Sequence, residues 1–177
     1  MTDTVATALQ EQKGTLDAPR CVLFVCTGNT CRSPMAAALY NDMVRREVCT
    51  ACTDGFTEGA EVAFSAGLYA NEGEPISADA VAALREAHVM PTKRNDYTAH
   101  RARTVTRAMM EEADKVIAIS GSHAMELMLR FPEYAGKIKT LAMNISDPYG
   151  RGIEAYRECL MQLRYCLQLL TQGEDEI

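Results

Sequence analysis

An α/β fold is what this chain predicts: a single domain with a four-stranded parallel sheet and helices on both faces. Three observations carry that expectation. Short apolar runs alternate with longer stretches of helical periodicity, the order that parallel strands joined by crossover helices require. The clearest run, residues 21–25 (Cys-Val-Leu-Phe-Val), is continuously apolar, as a strand buried on both faces is. A Cys-x5-Arg loop of small polar residues then leads directly into a helix, at the carboxyl end of the strand where open α/β sheets bind ligands.

Residues 1–19 have no periodic pattern of their own and are expected to form a flexible tail, which leaves 20–177 as the domain. After the strand at 21–25, residues 33–47 read as a helix with Met35, Ala36, Leu39, Tyr40 and Met43 on one face. Residues 62–65 form a second short strand. The next helix spans 77–88, with Ser77 as its N-cap and Val81, Leu84 and Ala87 facing inward. A third strand is expected at 115–119, followed by a helix that ends near Phe131-Pro132, and a fourth strand at 138–142. In the last helix, 153–170, apolar residues recur at 153, 156, 160, 163, 167 and 170.

The loop reads Cys26-Thr27-Gly28-Asn29-Thr30-Cys31-Arg32-Ser33. A strand that turns sharply into a helix leaves backbone N–H groups unpaired, and these converge as an anion nest of phosphate size. A thiol at its mouth, beside Arg32 and the positive end of a helix, is favoured as thiolate and becomes a nucleophile. Arg32 supplies a planar fork that matches two phosphoryl oxygens, which Lys cannot do. Gly28 and Asn29 tolerate, better than other residues, the positive φ that a tight turn requires. Pro34 suits the first helical turn. Taken alone, a Cys that ends a strand, like Cys26, is more often a core residue than a catalyst. The string lacks the Gly-Lys-Ser/Thr ending of a nucleotide-binding loop.

Composition narrows the classes. A chain of 177 residues with 47% hydrophobic residues suits one globular domain. A net charge of −6 argues against nucleic acid or anionic membrane as a partner. No apolar segment reaches the roughly 20 residues that span a bilayer, and the opening lacks a signal-peptide core, so a cytoplasmic protein is expected. Seven cysteines, at 21, 26, 31, 49, 52, 159 and 166, are read as mostly reduced thiols. Cys49 and Cys52 have a metal-like spacing but no second pair nearby, and Cys159 and Cys166 suit helix packing; no metal or cofactor is expected.

The stretch from Val25 to Met35 resembles the active-site loop of the low-molecular-weight protein-tyrosine phosphatases. Ser65-Ala66-Gly67 and Asp147-Pro148-Tyr149-Gly150 match two further motifs of that family, and the resemblance covers about residues 20–172. It implies a cysteine-dependent protein phosphatase with Cys26 as nucleophile, Arg32 and the amides of 27–32 as phosphate ligands, and Asp147 as general acid. It also implies loop-supporting roles for Asn29, Ser65 and His100. By itself an Asp-Pro pair is a common turn, and a lone His is more often structural. Ser33 can donate to the Cys26 sulfur or simply cap the helix. Tyr149 can wall the cleft or pack half-buried. The implied partner is a phosphorylated protein, and the chain is expected to be a monomer or weak dimer.

Position 30 bears on the substrate. Tyrosine phosphatases of the family usually carry an aliphatic residue there, whereas the subgroup that acts on protein phosphoarginine carries Thr, as here. That subgroup also resembles this chain in the run Ile145-Ser146-Asp147-Pro148-Tyr149-Gly150. The segment after Gly67 lacks the Trp that stacks on phosphotyrosine in many members, and Glu72 or Glu74 could receive a guanidinium. Phosphoarginine is the favoured substrate and phosphotyrosine the alternative. Arsenate reduction is disfavoured, because no Cys occurs between 53 and 158 to resolve an adduct. A non-catalytic phosphoprotein-binding module would need neither Cys26 nor Asp147. Cys31 can pack, or trap an oxidised Cys26 as a disulfide.

Overall fold

The computed structural model describes residues 20–51 and 62–172. The expected tail at 1–19 lies outside the described residues, as does Cys52 of the cysteine pair. In order, the chain forms β1 (Cys21–Cys26), α1 (Arg32–Ala51), β2 (Val62–Gly67), α2 (Ala78–Glu86), α3 (Arg107–Glu112), β3 (Lys115–Ala118), α4 (Gly121–Arg130), β4 (Ile138–Thr140) and α5 (Ile153–Gln172). Two 3-10 turns, Tyr97–Ala99 and Pro132–Lys137, complete the described elements.

The four strands form one parallel sheet in the order β2-β1-β3-β4. β1 is central, with Phe24 in register with Ser65 on one side and Ile117 on the other. Its side chains alternate between two cores, which explains the unbroken apolar run. Val22, Phe24 and Cys26 pack with α1, α2 and α5, while Leu23 and Val25 pack with the layer that holds α3 and α4. The connection from β1 runs outward to β2, and the chain then crosses back to β3. That reversal opens a crevice at the carboxyl ends of β1 and β3, and Cys26 stands at its edge.

Helix faces follow the periodicity. In α5 the buried stripe is Tyr156, Cys159, Leu160, Leu163, Cys166 and Leu167. α1 runs past the expected end at 47 to Ala51. β4 stops at Thr140, two residues short of its expected length. Ser77 does precede α2, but its side chain makes no cap bond. Its hydroxyl donates instead to Tyr156 Oη at 2.9 Å, a tertiary partner that outcompetes the local one. Ala80, Ala83 and Leu84 are the buried residues of α2, whereas Val81 and Ala87 are only partly buried against the core. α3 is a short helix without an expected counterpart; the Thr106 hydroxyl caps it by accepting from the Met109 N–H.

Candidate active site

The loop between β1 and α1 is held from outside by its carbonyls. Leu68 and Tyr69 N–H donate to the Cys26 and Thr27 carbonyls at 2.8 and 2.9 Å, and Ser77 N–H donates to the Thr30 carbonyl at 2.9 Å. His100 Nε2 lies 2.8 Å from the Asn29 carbonyl, which can only accept, so that nitrogen carries the proton. In a planar trans peptide the C=O and the following N–H point in opposite directions. Pulling these four carbonyls outward therefore turns the N–H groups of Thr27, Gly28, Thr30 and Cys31 the other way, toward the cup. Among the described residues, none of these four amides donates to a backbone carbonyl.

The sharp turn falls on Asn29, at φ 59°. Gly28 does not share it; one left-handed residue suffices to reverse the loop. Asn29 is fully buried and each side-chain atom is used. Its Nδ2 donates to Ser33 Oγ at 2.9 Å and to Ser65 Oγ at 3.0 Å, and its Oδ1 accepts from Arg103 N–H at 3.0 Å. Gly67 lies directly beneath: a Cβ there would stand 2.6 Å from the Thr27 carbonyl oxygen. The loop and the end of β2 approach closely only because position 67 has no side chain.

Cys26 Sγ lies 3.0 Å from Ser33 Oγ. Ser33 accepts from Asn29, and its single proton can go to the sulfur or to the Ala66 carbonyl at 3.3 Å. The shorter contact, to sulfur, is the one that strengthens when the thiol ionises. Across the cleft, Arg32 Nη2 donates to Asp147 Oδ2 at 2.7 Å. Asp147 Oδ1 accepts from the Tyr149 N–H at 3.2 Å, an Asx-type turn that aims the carboxylate. Thr27, Thr30, Cys31 and Tyr149 also line this cleft, which has a volume of about 240 Å³. Tyr149 is 66% exposed at the rim rather than packed. Thus residues 26–32, Asp147 and Tyr149 meet in one cleft, while Ser33, Ser65 and His100 lie behind it.

Residues 21–176 match the low molecular weight phosphotyrosine protein phosphatase family. The chain belongs to this family. It is a phosphoprotein phosphatase. A protein-arginine-phosphatase of Geobacillus stearothermophilus is 34% identical over 161 residues, covering 87% of this chain and 95% of its own length. The crystal structure of a low molecular weight protein tyrosine phosphatase from T. tengcongensis superposes with a TM-score of 0.74 at 34% identity, covering 87% of this chain and 99% of that one. The YwlE arginine phosphatase, as a Cys-to-Ser mutant with a phosphorylated active-site serine, gives a TM-score of 0.74 at 29% identity, covering 88% and 96%.

Several residues in or behind the phosphatase cleft were not legible in advance. His123 Nε2 lies 2.9 Å from Thr27 Oγ1 while its Nδ1 lies 2.8 Å from Ser120 Oγ. Burial, then the Arg32 charge, lowers its pKa and keeps the ring neutral near pH 7. The only local hint was Ser120 three residues earlier, which caps α4. Tyr156 Oη lies 3.1 Å from Cys31 Sγ and ties the loop to α5. Burial raises the Cys31 pKa above the ordinary thiol value, so it remains S–H. Of the two candidate acids, Glu74 lines the cleft, whereas Glu72 accepts from the Thr104 N–H at 2.7 Å and holds a loop. Tyr69, with Arg130 stacked 4.4 Å from its ring centre, forms another part of the wall.

Proposed function

We propose that the phosphatase hydrolyses protein phosphoarginine through a phosphocysteine intermediate. The carrying observation is the pairing of Cys26 Sγ with Ser33 Oγ at the floor of a cup whose other wall is Asp147. Cys26 thiolate attacks phosphorus opposite the leaving guanidine nitrogen. As the P–N bond breaks, Asp147 delivers its proton to that nitrogen and the arginine departs as a cation. Asp147, now a carboxylate, takes a proton from water as the water attacks the phosphocysteine, releasing inorganic phosphate and the thiolate. Arg32 and the inward amides stabilise the equatorial oxygens through both steps. Before phosphate arrives, the Asp147 carboxylate occupies the Arg32 fork; a phosphoryl dianion displaces it, and the freed carboxylate takes up from solvent, beside the leaving group, the proton that it then delivers.

The choice of phosphoarginine rests on Thr30 in the cup and on two acidic side chains, Asp147 and Glu74, in one cleft. The departing guanidinium is cationic and finds carboxylate partners there, Glu74 throughout and Asp147 once it has given up its proton. The arginine phosphatase relatives support the same reading. Phosphotyrosine is the second reading, favoured by the exposed rings of Tyr69 and Tyr149 at the rim, which an aryl ester could meet. No helix among the described residues is long and apolar enough to cross a membrane. Our reading places the enzyme in the cytoplasm, acting on phosphorylated proteins as a monomer or weak dimer, without nucleic acid or membrane as a partner.

The deciding experiment is parallel turnover of phosphoarginine and phosphotyrosine peptides by the parent and by Thr30→Ile. Phosphoarginine turnover by the parent, with the ratio shifted toward phosphotyrosine by the variant, is expected. A parent that cleaves phosphotyrosine and ignores phosphoarginine overturns the substrate.

A further inference from the structure

A closed ring of contacts anchors the middle of the loop from below. Ser77 uses both of its donors: its N–H holds the Thr30 carbonyl at 2.9 Å, and its hydroxyl donates to Tyr156 Oη at 2.9 Å. Tyr156 has a single proton, and with its oxygen accepting from Ser77 that proton goes to Cys31 Sγ, 3.1 Å away. Cys31 Sγ in turn lies 3.6 Å from Thr30 Oγ1. Tyr156 is fully buried and Cys31 and Thr30 nearly so, so water does not compete for these groups.

The count of protons gives the ring a direction as far as Cys31. Ser77 donates to Tyr156 and Tyr156 to Cys31, whose own S–H proton can then pass to Thr30 Oγ1 in a weak but desolvated bond. With Thr30 accepting from below, its own hydroxyl proton is free to point into the cleft that it lines. The same ring fixes the peptide between Thr30 and Cys31. Its carbonyl is drawn toward Ser77, so its N–H faces the cup.

We propose that Tyr156, held by Ser77, is a positioning residue for catalysis: acting through Cys31, it sets the Thr30–Cys31 peptide and aims the Thr30 hydroxyl at the leaving group. This rests on the reading of Thr30 as a substrate-facing residue. Tyr156 touches neither substrate nor reacting atoms, and its contribution is transmitted through two neighbours.

The test is a double-mutant cycle with Tyr156→Phe and Thr30→Val, run on a phosphoarginine peptide and on p-nitrophenyl phosphate, with orthovanadate inhibition measured alongside. Tyr156→Phe keeps the ring and removes one hydrogen-bonding atom, so kcat/KM should fall about 3- to 10-fold and orthovanadate affinity by a similar factor. In the Thr30→Val background the same change should cost clearly less, because the two residues act as one unit. Ser77→Ala should reproduce the loss and Ser77→Thr should restore it, and this pair carries the test if Tyr156→Phe does not fold. Equal fold-losses in both backgrounds, or a lowered Tm with unchanged orthovanadate affinity, overturn the proposal. A parent inactive on phosphoarginine removes the substrate reading alone, since the cycle on p-nitrophenyl phosphate still decides the role of Tyr156.

Discussion

Arg32 Nη2 and Asp147 Oδ2 meet at 2.7 Å, the guanidinium 10% exposed and the carboxylate 54% exposed. The more exposed partner of this pair is thus the proposed acid, and the buried partner is the proposed phosphate ligand. Asp147→Asn keeps the shape and removes the transferable proton. We expect kcat to fall by roughly 10²–10⁴-fold, the range for a lost general acid, while orthovanadate binding is kept or tightened because the competing carboxylate is gone. Steady-state kinetics with orthovanadate titration measures both, and near-parental turnover would remove Asp147 from the mechanism.

Ser33 has a different part. Its hydroxyl accepts from Asn29 and stands 3.0 Å from Cys26 Sγ. Ser33→Ala withdraws a charge-assisted donor from the sulfur, a loss of about 10- to 100-fold in kcat for a bond of this type. Iodoacetamide labelling of Cys26 at pH 7, followed by mass spectrometry of its peptide, should slow in parallel. Unchanged labelling with reduced turnover would assign Ser33 to helix capping instead.

Gly67 tests how closely β2 must approach the loop. A Cβ at 2.6 Å from the Thr27 carbonyl and 3.1 Å from Asn29 N has backbone, not flexible side chain, in its way. Gly67→Ala should cost about 1–3 kcal/mol of stability, as overpacking does, and should lower kcat more than KM by displacing the amides around phosphate. A thermal melt and a rate profile check it; parental values for both would mean that the loop has room to give.

These residues show what a sequence can and cannot reveal. The strand and the loop with Cys26 and Arg32 were legible because local pattern specifies them, as an apolar run and a Cys-x5-Arg string, whereas Asp147 stood out only through the family motif, since an Asp-Pro pair alone is a common turn. Asn29 carried its own clue, as a residue that tolerates the left-handed region. His123 and Tyr156 were not legible as site residues. Their contacts to Thr27 and Cys31 span 96 and 125 positions, and they exist only because α4 and α5 dock on opposite faces of one sheet. Ser77 misled for the same reason, since its hydroxyl prefers a buried tyrosine to the local helix amide. α3, six residues long, is too short to show a period.

The two histidines beside the loop give the enzyme a predictable pH response. Burial lowers the pKa of His100 below the ordinary value of about 6.5, with Arg103 and Arg101 adding to the effect and its bond to the Asn29 carbonyl opposing it; burial and Arg32 do the same for His123. For such groups the unfolded chain takes up protons first as pH falls. Their contribution to stability is thus complete above about pH 6.5 and is lost as the pH drops through that value toward the lower folded pKa values. His100→Gln retains an N–H that can donate to the Asn29 carbonyl yet cannot titrate. Its Tm should fall less steeply than the parent's between about pH 7 and 5, the window before most carboxylates protonate. Parallel slopes for the two proteins would show that His100 does not carry this response. A steeper slope in the variant would show that the sign is wrong.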